Sequence, residues 1–545
     1  KIFNALPENE YQYPRDVQTE VWNQWHDSSG GDGDSVIKMN TGSGKTIVGL
    51  LILKSCLNDG HGPAVYLCPD KYLAGQVREE AAKLGISVTD ELGPRFIASD
   101  SMLVSSIYKL VNGQSQFGVG HIDTPIESVV IDDVHACLVD AEQQFTLDLG
   151  ADALVSLLDL FYEDLEHQSP GGLHEIRRGD ASRELLVPYW AWQREIDTVR
   201  QIITEEASED VLRYKWPLVN DVLEYASCFV SGSSAEVSLR SLPIDIIPSF
   251  EEASRRIFMS ATISDDSVLV SHFDAEVEDQ EEALTPNSAG DAGDRVILMP
   301  QYLDPSVDDE EIREMARRYA DEVNVVVIVP SRYRCAEWEP YADQVLDKSN
   351  LEEGVENLKN GHVGLTVLLN KYDGVDLPGE ACRILLIDDL PDARRSLDRY
   401  DQQVLYGSGH ELTQPIQRIE QGMGRGVRSS RDYCAVVLMG DRLTNKLVQP
   451  GGIEKFTAAT KTQYELSNQL NQQLEDQGIP GVEEAIDQFL DRDPEWVQVS
   501  KSRLSEVEYN SSLNVREEVE GRRVAFSNAR LSNLGEAEEE MRSVS

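Results

Sequence analysis

Positive charge is what this chain has least of: 49 Lys and Arg stand against 97 Asp and Glu in 545 residues, a formal net charge of −48 at pH 7. The carboxylates are spread along the whole chain rather than gathered in one block, which excludes an acidic tail as their explanation. A salt-adapted cytoplasm fits them better, because molar salt shortens the Debye length to about 3 Å and screens the self-repulsion that would otherwise loosen the fold. Long apolar runs are absent too. No stretch reaches the roughly 18 residues needed to cross a bilayer, so no membrane segment is expected. Cysteine is scarce: Cys56, Cys68, Cys137, Cys228, Cys335, Cys382 and Cys434 are scattered singly, mostly among apolar neighbours. Without a CxxC pair they exclude a zinc ribbon or a redox dithiol, and they read as reduced core residues of a cytosolic protein. The opening KIFNALPENEYQYP has neither an initiator Met nor the basic-then-apolar plan of a signal peptide, and the chain closes on GEAEEEMRSVS, so both ends are expected to be cut points.

A chain of this length needs more than one core, and roughly three or four domains are expected. Residues 1–138 alternate strand-like runs (SVIKMN, AVYLCP, SVVIDD) with helical stretches, the pattern of a parallel sheet covered on both faces. Residues 139–236 read as a helical insertion with few strand candidates. RRIFMSATI then brings the chain back to the first sheet, so 237–274 form that domain's second part. The stretch 275–296 has almost no large apolar groups and is expected to be a flexible acidic linker. A second α/β domain follows over 297–443, with strands at NVVVIVPS, LTVLLN, ILLIDDL and CAVVLMG. Residues 444–545 are expected to be mainly helical, with 496–530 open between strand and helix.

MNTGSGKT, 39–46, lies between a strand and a helix. There small residues let backbone N–H groups wrap a polyphosphate, so Thr41, Gly42, Ser43 and Gly44 form the cradle. Lys45 reaches the terminal phosphates and Thr46 offers its hydroxyl to Mg²⁺. The stretch departs from the phosphate-loop pattern only at Met39, where Gly is usual. VVIDDVHACL, 129–138, runs an apolar strand into two carboxylates. An isolated Asp pair there would be an ordinary turn. Next to a phosphate loop, Asp132 takes a Mg²⁺ role and Asp133 orients the attacking water.

These two motifs resemble those of the superfamily 2 helicases, whose second motif reads DEAD or DEAH where this chain has DDVH. Asp133 is one methylene shorter than the family's Glu. Other family motifs follow in order: SAT at 260–262, LLNKYDGVDLPG at 368–379, and QGMGRGVR at 421–428. The resemblance implies that Gly374 and Asp376 face nucleotide and nucleic acid. It also implies that Gln421, Arg425 and Arg428 reach across a cleft to the γ-phosphate, where an arginine fork stabilises the charge being transferred. Upstream, YPRDVQ is similar to the adenine-reading Q motif and would set Gln18 on the base edge. YLCPDKYLAGQ (66–76), MLVSSIYKL (102–110) and VPSRYRCAEW (329–338) take the places of motifs Ia, Ib and IV. The wording of the motifs at 368–379 and 421–428 resembles the branch related to XPD and DinG. The iron-sulfur members of that branch place four cysteines between the phosphate loop and the DEAH motif. Only Cys56 and Cys68 fall there in this chain, so no cluster is expected.

The resemblance implies two RecA-like domains with ATP and Mg²⁺ between them, driving a helicase or translocase along nucleic acid, DNA in preference to RNA. A protein partner is expected on the insertion or the C-terminal helices, and comparable cluster-free helicases serve in prokaryotic antiviral systems. The alternative is a nucleotide-gated clamp or scaffold that hydrolyses weakly because Asp133 replaces Glu. A small-molecule phosphotransferase would have no use for the last two motifs. The acidic charge allows nucleic acid only local purchase, through backbone N–H groups, a few arginines or stacking. Trp190, Trp192 and Trp216 are the stacking candidates, against a reading of all three as core. No nuclease or protease constellation is present.

Overall fold

Continuous apolar runs such as VVVIV and YCAVVLM leave no polar face, and strands of that kind pack where helices cover both sides of a parallel sheet. The computed structural model describes residues 2–544 except 7–8, 29–31, 41, 121, 262–264, 277–281, 288–292, 348, 373–374, 406–411, 428–431 and 472–476. Its strands in chain order are β1 Gly33–Lys38, β2 Ala64–Cys68, β3 Val88–Thr89, β4 Met102–Ser106, β5 Ser128–Ile131, β6 Leu147–Leu149, β7 Glu184–Leu186 and β8 Ser227–Ser231. They continue with β9 Ala235–Ser238, β10 Arg255–Ser260, β11 Asp294–Leu298, β12 Val325–Val329, β13 Gln344–Leu346, β14 Leu365–Leu369, β15 Ile384–Asp388 and β16 Tyr433–Met439.

Two six-stranded parallel sheets result, ordered β1-β10-β5-β2-β4-β3 and β11-β16-β15-β12-β14-β13. Renumbered within each sheet, both orders read 1-6-5-2-4-3, so the molecule uses one topology twice. β10 lies between β1 and β5, which returns the chain to the first sheet after the insertion. Helices dominate the insertion, and they enclose a four-stranded antiparallel sheet, β6-β9-β8-β7, that no alternation had signalled. Two of its strands are only three residues long, too short for a period of two to register.

The stretch expected to be a free acidic linker is pinned where it is described. Leu284 N–H donates to Val36 O at 2.8 Å, and Lys38 N–H donates to Leu284 O at 3.0 Å. Those contacts cover the open edge of β1, an edge that would otherwise invite another strand. The second sheet begins earlier than expected, at Asp294, and its edge strand β11 is covered by the helix Ala458–Asn471. There Ile297 N–H donates to Ser467 Oγ at 2.9 Å, and Arg295 Nε donates to Gln463 Oε1 at 2.7 Å. The ambiguous 496–530 resolves into the helix Pro494–Ser505, an extended crossing, and the helix Glu517–Arg530. This last helix packs on the first domain, where Arg523 Nε donates to Asp274 Oδ1 at 2.8 Å.

Of the three tryptophans, Trp192 is core: it stacks near Phe161 and donates Nε1–H to Leu223 O at 2.9 Å. Trp216 packs half-buried against the same core, and Trp190 stands 67% exposed. Among the described residues no helix is long and apolar enough to cross a membrane.

Candidate active site

β1 ends at Lys38 and the helix Lys45–Asn58 begins after a glycine turn in which Gly42 and Gly44 take φ of +84° and +88°. A Cβ on Gly44 would lie 2.2 Å from Gln18 Nε2, so a side chain there would push the Gln18 carboxamide aside, and the left-handed backbone disfavours one outright. Two side chains of the preceding segment donate to carbonyls of that turn. Gln18 Nε2 donates to Gly44 O at 3.3 Å and, more weakly, to Ser43 O at 3.5 Å, while its Oε1 accepts from Arg15 N at 3.0 Å. Arg15 Nη1 donates to Gly42 O. The Gln18 carboxamide, expected at a base edge, is thus turned onto the loop with both polar atoms engaged. Ser43 is buried, its Oγ donating to Asn40 O at 2.8 Å. Lys45 Nζ lies 3.5 Å from Met39 O.

The carboxylates come from the end of β5. Tyr66, wholly buried on the neighbouring β2, donates its hydroxyl to Asp132 Oδ2 at 2.7 Å. The phenol therefore fixes one expected Mg²⁺ ligand, Asp132, and the other, Thr46, lines the same cleft. Sequence reasoning missed Tyr66 and Arg15. The signal for Tyr66 was a tyrosine in the middle of a buried strand, which must find a partner for its hydroxyl. Burial pushes the Asp132 carboxyl above its ordinary range, with Lys45 pulling it back. The same burial lowers the pKa of His135, leaving the imidazole neutral at pH 7. A carboxylate desolvated in this way favours a cation beside it. Mg²⁺ fits the oxygen donors of Asp132 and Thr46, since it binds through one or two protein oxygens together with phosphates and water.

Asp133 takes a left-handed backbone, φ +48° and ψ +58°, at the start of the helix Val134–Gln144. Its N–H donates to Asp132 Oδ1 at 2.9 Å. Its own Oδ2 lies 3.8 Å from Arg425 Nη2, which arrives from the second domain. The helix Thr413–Met423 and the turn Gly424–Gly426 can deliver that arginine because the turn sits directly on β16. A Cβ on Gly426 would be 2.5 Å from Cys434 Sγ. Arg425 is buried, its Nε donating to Tyr372 O at 3.1 Å and Nη1 to Val375 O at 3.3 Å, both carbonyls of the LLNKYDGVDLPG stretch.

One cleft of about 660 Å³ takes in Gln18, Gly42, Gly44, Lys45, Thr46, Asp132 and Asp133 from the first domain, with Asp376, Gln421 and Arg425 from the second. Thr41, Gly374 and Arg428 lie outside the described residues, as does Thr262 of the SAT stretch. Backbone N–H groups of a glycine turn, a lysine, buried carboxylates and an opposing arginine within one cleft can hold a polyphosphate, orient a water and stabilise charge on a departing phosphoryl group.

A family profile described as DEAD/DEAH box helicase matches residues 15–154, and one described as helicase C-terminal domain matches 324–458. No curated protein matches the sequence. Among solved structures, the chain is similar to an XPD helicase at 14% identity, covering 82% of this chain and 98% of that one, with a TM-score of 0.47. It is similar to Xpd4 of S. tokodaii at 14% identity, covering 80% and 98%, with a TM-score of 0.48. It is also similar to S. cerevisiae Dbp5 bound to RNA and ADP BeF3, at 12% identity, covering 81% and 90%, with a TM-score of 0.40.

Proposed function

From a chain that carries a DEAD/DEAH box helicase domain and a helicase C-terminal domain, we propose an ATP-dependent helicase or translocase that moves along nucleic acid, with DNA as its track. The observation that carries this reading is the approach of Arg425 to Asp133 at 3.8 Å, over the phosphate loop. An arginine of one domain faces the water-orienting carboxylate of the other, so hydrolysis depends on how the two domains sit. The choice of DNA rests on the wording of 368–379 and 421–428, which resembles the XPD and DinG branch.

In this mechanism the loop N–H groups and Lys45 bind the β- and γ-phosphates of ATP. Arg15 and Gln18 hold the loop in shape. Asp132 and Thr46 would hold Mg²⁺, which supplies charge neutralisation on the phosphate oxygens when bound. Asp133 accepts a hydrogen bond from the attacking water and aligns it. Arg425 and Gln421 meet the γ-phosphoryl oxygens from the opposite side; by the family resemblance Arg428 shares that role, and Gly374 and Asp376 serve nucleotide and nucleic acid. Loss of the γ-phosphate removes what both domains grip, and the cleft reopens. A partner subunit, if one binds, would meet the insertion or the C-terminal helices.

Arg425→Ala is expected to lower turnover by about three orders of magnitude while MgATP affinity stays within a few-fold, read by steady-state turnover and nucleotide titration. Equal losses in both would mean that Arg425 only holds the fold. A second reading, a nucleic-acid clamp with weak hydrolysis, is favoured by the short Asp133 carboxylate beside Arg425. The motor reading expects Asp133→Asn to lower kcat about a hundredfold and Asp133→Glu to change it less than tenfold. A wild type already as slow as Asp133→Asn, and accelerated by Asp133→Glu, would establish the clamp.

A further inference from the structure

After the helix Pro494–Ser505 the chain leaves the second domain, passes beside the root of the phosphate loop as residues 506–516, and enters the helix Glu517–Arg530 on the first domain. On the way Tyr509 Oη accepts a hydrogen bond from the backbone N–H of Asn40 at 3.0 Å. Asn40 is the root of the glycine turn: its carbonyl accepts both Ser43 N–H, at 3.2 Å, and Ser43 Oγ–H, at 2.8 Å. The crossing therefore holds the residue that shapes the phosphate loop.

Its two ends differ in strength. On the first domain, Lys38 and Asp266 form a buried ion pair at 2.8 Å, and the crossing supplies one further partner to each: Ser512 O accepts from Lys38 Nζ at 3.2 Å and Asn514 N–H donates to Asp266 Oδ2 at 2.7 Å. Two desolvated charges that each also meet backbone of the crossing make a firm anchor, since losing either partner strands the other. Ser511 O also accepts from Ala283 N–H at 2.6 Å, which ties the crossing to the segment along β1. On the other side Tyr509 packs with Leu504 against Ala459, on the helix that lines the cleft and is bonded to β11 through Arg295. A movement of the second domain thus pulls on the tyrosine, and the tyrosine meets the loop through the Asn40 hydrogen bond.

We propose that residues 506–516 are a strap that carries the position of the second domain to the phosphate loop, with Tyr509 as its positioning residue. Resting on the nucleotide reading of the cleft, this makes nucleotide affinity depend on a residue 469 positions from the loop. Closure presses the hydroxyl onto Asn40 and fixes the turn around the phosphates. Opening withdraws it and loosens the turn, so nucleotide release follows domain separation.

The test uses the full chain with wild type, Tyr509→Phe and Lys45→Ala, titrated with a fluorescent ATP analogue and Mg²⁺, with thermal midpoints recorded in parallel. Tyr509→Phe keeps the ring and its packing, so the midpoint should fall only slightly while nucleotide binding weakens about fivefold, the worth of one net hydrogen bond. An unchanged affinity would overturn the strap, and so would a lowered midpoint with unchanged affinity, which marks a merely structural tie. A wild type that binds no nucleotide would instead overturn the reading of the cleft, and the strap with it. Hydrogen exchange of the wild type needs no variant: peptides covering 38–46 and 506–516 should slow together when nucleotide is added. Slowing of the first alone would contradict the coupling.

Discussion

Gly44 carries two constraints at once, a φ of +88° and a neighbour, Gln18 Nε2, 2.2 Å from where a Cβ would stand. Gly44→Ala is expected to weaken MgATP binding more than tenfold, since the left-handed backbone alone costs a side-chain-bearing residue about 1–2 kcal/mol. Gly44→Ala with Gln18→Ala removes the contact but not the backbone cost and should recover only part of the loss, measured by the same nucleotide titration. Full binding by Gly44→Ala would contradict the geometry. At this scale much was legible in advance. A phosphate loop and an arginine after a glycine run announce themselves because their spacing is set by the ligand they meet. Tyr66, Arg15 and the turned Gln18 were not legible as they stand. Each acts through a hydrogen bond whose partner is far away in sequence, and no local pattern records which atom a side chain finally meets.

The helix Ser396–Val404 of the second domain shows what holds the two halves in register. Its preceding Arg395 is buried and donates Nη2–H to Glu142 Oε1 at 2.8 Å, a carboxylate that also meets His272 Nε2 at 3.0 Å. Arg395 and His272 together hold the Glu142 carboxyl below its usual range despite burial. Beside it Ser396 N–H donates to Glu236 at 2.9 Å, and Arg399 Nε donates to Glu184 Oε2 at 2.9 Å, both on the small antiparallel sheet of the insertion. The insertion is therefore a docking face for the second domain as well as an appendage of the first. Arg395→Ala strands a buried carboxylate and is expected to cost on the order of 3 kcal/mol, read as a lowered denaturant midpoint. A shift below about 1 kcal/mol would mean that His272 suffices as the partner. The long strands and helices were legible from their periodicity. The short strands β6 and β7 and the docked segment 282–287 were not, because their partners rather than their composition give them form.

Across the whole molecule the same strand order appears twice, and the cleft lies where two copies of one topology face each other. What the copies contribute is unequal: the first brings the loop and carboxylates, the second the arginine. That division makes turnover a report on domain placement, and the strap adds a second route from placement to the loop. A net charge of −48 bears on how such a machine grips an anionic strand. In dilute salt the chain repels both itself and the nucleic acid, while in molar salt both repulsions are screened over about 3 Å. Contacts that survive there are backbone donors and stacking rather than counterion release. The measurement that tests the account most directly is ATP turnover of wild type and Lys45→Ala in 0.1 M and 2 M KCl, with and without single-stranded DNA. The account predicts turnover in molar salt that rises with DNA and disappears in Lys45→Ala. Turnover indifferent to the strand in both salts, or nucleotide binding without turnover, would contradict it.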